Sequence, residues 1–161
     1  MATQTLEDLY QQEVGDLISA NQQMQQIVDN MASKAQDQKV KELLANSVEH
    51  INKHTQTLQS LHGGQTQAEC RAMSGLVEEA KRHAIDADLP SQLRDVAIIA
   101  HYQRMSHYGV AGFGTAAAYA RALGRTDDAA KLSEIVADIY GADEYSTRLA
   151  ESAEQAAANK S

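Results

Sequence analysis

An all-α fold, a bundle of four long helices, is predicted by three features of this 161-residue sequence. Apolar residues recur at three- and four-residue steps over long stretches, and helix-breaking residues stand mainly where those stretches stop. The composition favours helix throughout, with one proline, no tryptophan, one phenylalanine and long runs of Ala, Gln, Leu and Glu, side chains that lose little freedom in a helix. A chain of this size can bury a normal core as one domain, residues 1–161, without disulfides or metals to hold it.

The first helix is expected from about Thr5 to Ser33, because Leu6, Tyr10, Val14, Leu17, Asn21, Met24, Val28 and Met31 share one face, with Asn21 as its polar exception. A second stripe runs Val40, Leu43, Ser47, His50, His54, Leu58 and Leu61 and stops at Gly63-Gly64, where missing side chains permit a left-handed turn. A shorter helical segment follows around Glu69 to His83. Asp88-Leu89-Pro90 then opens the third long helix, whose face reads Val96, Ile99, Gln103, Ser106, Val110, Phe113 and Ala117. Gly124 supplies a stop, and Thr126 an acceptor cap backed by the negative charge of Asp127 and Asp128. Leu132, Ile135, Ile139, Ala142, Ser146 and Leu149 form the fourth stripe. That helix is expected to fray after Ser152, leaving the tail from Glu154 to Ser161 disordered because it has no apolar anchor.

Twenty-two acidic against fourteen basic residues give a net charge of -8, which repels phosphate backbones and anionic lipid and excludes nucleic acid as a partner. No run approaches the roughly 20 apolar residues a membrane span needs. The polar, acidic start lacks the basic and apolar stretches of a secretory signal. Cys70, the single cysteine, reads as a small buried thiol in a reducing compartment, so a cytoplasmic location is expected.

The inward positions at mid-height are Asn21, the His50 and His54 pair, Ser106 with Gly109, and Ile139 with Ala142. Di-metal bundles place carboxylates and Glu-x-x-His pairs there. Two iron ions need several anionic oxygens, which an amide, a hydroxyl and alkyl groups do not supply, so a standard di-iron centre is not expected. His50 and His54, four residues apart, face one way and could grip zinc, copper or nickel with a third ligand from His107 or Asp138; the competing reading is a pair of hydrogen-bonded core or rim histidines. His101 and His107 lie six apart and turn to different faces, so one of them at most points inward. Tyr102, Tyr108, Tyr119, Tyr140 and Tyr145 read as packing residues with hydroxyls reaching partners at the edge. Gly109, Gly112 and Gly114 each cost about 1 kcal/mol against alanine in a helix, which close approach of another helix would explain, either within the bundle or across a dimer interface. There is no Gly-x-Ser-x-Gly elbow and no phosphate loop, so a hydrolase or nucleotide enzyme is not expected.

The stretches LEDLYQQEVGDL, AECRAMSGLVEEA and DVAIIAHYQRMSHYGVAGFGTAAAYARALG resemble, in order and spacing, the YciF-like stress proteins, a ferritin-like family of bacterial four-helix proteins. The similarity runs from about Leu6 to Ala150. Its most specific parts are the Cys-x-Ala-Met-x-Gly-Leu run from Cys70 to Leu76 and the His107-Tyr108 pair. The resemblance implies a ferritin-like antiparallel four-helix bundle with a short additional helix between the second and third long helices. It also implies a homodimer, a link to stress responses, and glutamates that hold two metal ions. The sequence departs from that pattern where the metals would sit. Asn21 stands for a first-helix glutamate, Ser106-His107-Tyr108-Gly109 for Glu-His-Tyr-Glu, and Asp138-Ile139 for Glu-Glu, which leaves Glu49, His50 and Asp138 as remnants. The expectation is therefore a member with a degenerate di-iron site and no resident cofactor, acting as a non-catalytic binding or structural module, as a homodimer or with a related ferritin-like protein. The alternative is a metal-binding redox or storage protein whose site, rebuilt from His50, His54, His107 and Asp138, takes a transition metal such as zinc or iron.

Overall fold

The computed structural model describes residues 2–64 and 68–160. Four long helices, α1 (Leu6–Lys34), α2 (Gln38–Leu61), α4 (Ser91–Ala122) and α5 (Thr126–Ala158), form the bundle, and the shorter α3 (Arg71–Ala80) runs directly into a single π turn at Lys81–Ile85. No described helix is long and apolar enough to cross a membrane.

Local chemistry sets most of the ends. Thr5 accepts from the Asp8 backbone N–H while the Asp8 carboxylate accepts from the Thr5 N–H, a reciprocal pair that satisfies two donors at the start of α1. Asp37 accepts from the N–H groups of Lys39 and Val40 to start α2. Gly64 and Gly124 take positive φ of 78° and 75°, the left-handed conformation that only glycine adopts without steric cost. Two ends differ from the sequence reading. Thr126 is already helical and forms no side-chain cap, so only the acidic first turn, Asp127 and Asp128, favours the start of α5. At the other end α5 continues past Ser152 to Ala158, and Ala157 is buried; three successive alanines sustain the helix where an apolar stripe no longer does. Ser161 lies outside the described residues.

The start of α4 meets the end of α1 through Asp95, and the end of α4 meets the start of α1 where Arg125 lies 2.6 Å from Glu7, so the two run antiparallel. Helices α1 and α5 therefore point one way, α2 and α4 the other. The α2-to-α4 connection crosses the bundle, with α3 and the π turn packed on α1 and α4. The Arg94 guanidinium holds that connection, donating to the carbonyls of Ala84, Ile85 and Ala87 at 2.9 to 3.0 Å.

The hydrophobic interior divides into two clusters. One, toward α3, gathers Met24, Val28, Met31, Leu44, Ile98, Ile99 and Met105; the other gathers Tyr10, Val14, Leu17, Leu58, Phe113, Leu132 and Ile135. The stripes predicted on α2 and α4 are rotated slightly from the buried faces. Leu44, Ile51 and Thr55 are buried while His50 is exposed at the rim; on α4, Asp95, Ile98, Tyr102 and Met105 are buried, and Val96, Gln103 and Val110 are only partly covered. An inward arc wide enough for two adjacent positions leaves the apolar neighbour and the polar one equally compatible with the periodicity.

Gly112 accounts for one close approach, because a Cβ there would stand 2.6 Å from Leu17 Cδ2 and 3.2 Å from Glu13 Oε1. That contact is between α4 and α1 of the same chain. Gly109 gives room to Ile139, and Gly114 faces open space.

Candidate functional site

Between the two apolar clusters, at mid-height, the inward side chains turn polar and leave a cavity of about 40 Å³. By the measure that one water needs about 10–15 Å³, it holds two to four small molecules of that size. Helix α1 contributes Asn21 and Met24, α2 Ser47, His50 and His54, α3 Met73, α4 Tyr102, Met105, Ser106 and Gly109, and α5 Asp138, Ile139 and Ala142.

Most of the polar wall is internally satisfied. The Ser47 and Tyr102 hydroxyls lie 2.5 Å apart, the Ser106 hydroxyl donates to the Tyr102 carbonyl at 2.9 Å, and burial pushes the Tyr102 phenol above its usual value. Asn21 is the exception. It is 6% exposed, and its amide makes no hydrogen bond among the described residues. No fully enclosed side-chain polar atom among those residues lacks a partner, so this amide opens onto the void.

His54 separates the interior from the surface. Its Nε2 lies 3.2 Å from Asp138 Oδ2, its ring meets Phe113 edge-on at 6.1 Å and tilts against His50 at 6.3 Å. On its outer side it borders a wider groove of about 200 Å³ with Lys53, Thr57, Lys131, Glu134 and Asp138. Burial holds the His54 imidazole below the ordinary histidine value of 6.5, partly opposed by Asp138. His101 is also depressed from 6.5, by burial and then by the charge of Arg104. It is buried on α4 and stacks on His83 of the π turn with ring centroids 6.0 Å apart. A base whose folded value lies below its unfolded value binds more protons unfolded than folded, so stability is complete above pH 6.5 and falls as pH drops below it toward the folded values. Denaturant unfolding at pH 5.5 is expected to give a lower midpoint than at pH 7.5. A His54→Gln, His101→Gln double variant is expected to flatten that difference; an unchanged slope would remove both histidines from the account.

The four residues of the rebuilt metal site are not brought together. His50, His54 and Asp138 border the cavity, but His107 is mostly exposed, with its Nε2 3.0 Å from Asp143 Oδ2. One position beyond the inward Ser106, a helix turns about 100°, which carries His107 away from the void. Among the described residues no group of three or more His, Cys, Asp and Glu is placed to hold a metal ion.

A second polar network was not legible in the spacing. The Tyr108 hydroxyl donates to Asp16 Oδ2 at 2.5 Å and lies 3.2 Å from Cys70 Sγ. Cys70 is the N-cap of α3: its sulfur accepts from the Met73 N–H, and its own N–H donates to the Ser19 hydroxyl at 2.9 Å. Burial raises both the Cys70 thiol and the Tyr108 phenol above their usual values, so Cys70 pins α3 to α1 and α4 rather than serving as a thiolate nucleophile. The Cys-x-Ala-Met motif marked the place but not the partners, which lie on other helices.

The comparisons with known proteins bear on the fold as a whole. Protein YciF of Escherichia coli strain K12 is 27% identical over 155 residues, 93% of each chain. The crystal structure of the E. coli stress protein YciF matches with a TM-score of 0.90 at 26% identity, covering 95% of this chain and 99% of that one. YcfI from Rhodopseudomonas palustris, described as a candidate structural protein, matches with a TM-score of 0.83 at 27% identity, covering 89% of this chain and 94% of that one. A family model described as a domain of unknown function, DUF892, matches residues 5–159, and the chain belongs to that family.

Proposed function

We propose that this chain is a ferritin-like stress protein with a degenerate di-iron site, acting in the cytoplasm as a homodimeric, non-catalytic binding or structural module. The observation that carries the reading is the donor set at mid-height. Asn21, Ser106, Gly109, Ile139 and Ala142 present an amide, a hydroxyl, a hydrogen and alkyl groups, and the lone carboxylate of the cavity wall, Asp138, stands half-exposed at its edge. Two iron ions in such surroundings would lack the anionic oxygens that balance their charge. The residues do not fit a di-iron pair. The likeness to a solved structure described as a stress protein of E. coli supports the stress role, and the void with an unpartnered amide supports binding. Elemental analysis of untagged protein, with melting measured before and after chelation, tests the reading. Metal-free protein with unchanged melting is the expected result, and stoichiometric iron would overturn it.

A second reading, a histidine-containing metal site, rests on the His54–Asp138 pair at 3.2 Å with the His50 ring beside it, a set in which no three such groups among the described residues are placed to hold an ion. It requires metal that is lost in a His50→Ala, His54→Ala double variant. In either reading a related ferritin-like protein is a candidate partner, which co-expression and co-purification would reveal.

A further inference from the structure

Three of the five methionines, Met24, Met73 and Met105, reach the same void from α1, α3 and α4. Met31 is as deeply buried but lies in the apolar cluster away from it. Into this thioether-lined space opens the Asn21 amide, 6% exposed, with its donor and acceptor both unused. A void of about 40 Å³ is far smaller than the roughly 150 Å³ that admits benzene, so an occupant has about two to four heavy atoms. It must be neutral, since the void offers no buried counter-charge, and must both donate and accept hydrogen bonds to satisfy an amide. Exposed His50 and half-exposed Asp138 give it a polar entrance. Water meets these requirements. So does hydrogen peroxide, which in addition reacts with thioethers.

We propose that this cavity admits hydrogen peroxide and that Met24, Met73 and Met105 are its stoichiometric oxidation sites, with Asn21 as the positioning residue. The step balances without a cofactor. A sulfur lone pair attacks one peroxide oxygen, the S–O bond forms as the O–O bond breaks, and the departing hydroxide takes up the remaining peroxide proton as water. Sulfur loses two electrons, peroxide gains them, and the product is methionine sulfoxide. The Asn21 carbonyl accepts from the peroxide and its N–H groups donate to the leaving oxygen. A polar, larger sulfoxide inside a void this small then loosens the contacts between the two apolar clusters, which makes peroxide exposure legible as a change in packing.

This inference rests on the reading that no iron pair fills the cavity, so the test uses full-length protein treated with chelator and checked for metal by elemental analysis. Metal in that check counts against the proposed function; the oxidation pattern of metal-free protein decides this inference. The protein is incubated with hydrogen peroxide and sampled over time for peptide mass spectrometry. Sulfoxide at Met24, Met73 and Met105 is expected on the order of tenfold faster than at Met31, which oxidises only through rarer opening of the core. The bulkier tert-butyl hydroperoxide is expected to lose that preference, and Asn21→Leu to lose it with hydrogen peroxide. Equal rates at Met31 and the cavity methionines, or equal preference with both oxidants, would overturn the proposal. These wild-type comparisons decide it even where Asn21→Leu does not fold.

Discussion

Asp95→Ala lowers the free energy of unfolding by about 2 to 4 kcal/mol, the sum expected for two hydrogen bonds to a charged group minus what water recovers. The Asp95 carboxylate is buried at the start of α4, and its two oxygens accept from the Gln36 and Asp37 N–H groups, each at 2.8 Å. Those donors lie in the turn between α1 and α2, just ahead of the N-terminus of α2, where no earlier carbonyl is available to them. One side chain therefore ties the third long helix to the hairpin of the first two. The same residue sits beside Ile98 and Ile99 of the core, so truncation also leaves a gap next to well-packed side chains. Asp95→Asn keeps the volume and one acceptor but turns an amide donor toward a backbone donor, and about half of the loss is expected. The measurement is the guanidinium midpoint at constant m, with amide exchange at Gln36 and Asp37 as a local readout. Equal midpoints for Asp95→Ala and the parent chain would show that the turn holds without its clasp.

Asp95 also shows where reading a sequence reaches its limit. The four long helices were legible because each carries an apolar repeat longer than chance, and Gly124 ends α4 for a conformational reason that belongs to glycine alone, whereas α2 already leaves the helix at extended His62, two residues ahead of Gly64. Asp95 lay one position from Val96, which the periodicity selected instead. Nothing local distinguishes a buried carboxylate from a solvated one when its donors are 58 and 59 residues away. His50 and Ile51 were exchanged for the same reason. The candidate site was legible in its composition, since Asn21, Ser47, His54 and Ser106 all border the void. Its connectivity was not. The pairing of Ser47 with Tyr102 and of Cys70 with Tyr108 joins helices far apart in sequence, and His107 left the site because a single step along α4 changes its face.

Asn21→Leu is expected to stabilise the chain, by about 1 to 3 kcal/mol; the upper figure is the cost of a fully enclosed polar group without a partner, and this amide, open to the void, stands nearer the lower one. Leucine has the same branching as asparagine and nearly the same length, so it enters the void without displacing Met24 or Ile51, and it joins the two apolar clusters that the polar layer now separates. For a domain of this length each kcal/mol raises the melting temperature by roughly 2–4 °C. Bound water that satisfies the amide would reduce the gain toward the lower figure, since such water already repays part of the missing bonds. Asn21→Asp is the opposite control: a carboxylate in a cavity without a facing cation is expected to destabilise. A leucine variant that melts below the parent would mean that Asn21 already has its hydrogen bonds and that the void is not a binding site. A leucine variant that melts higher while losing the capacity to bind identifies Asn21 as a residue kept at the expense of stability, which is the pattern functional sites show when stabilising substitutions are available but unused.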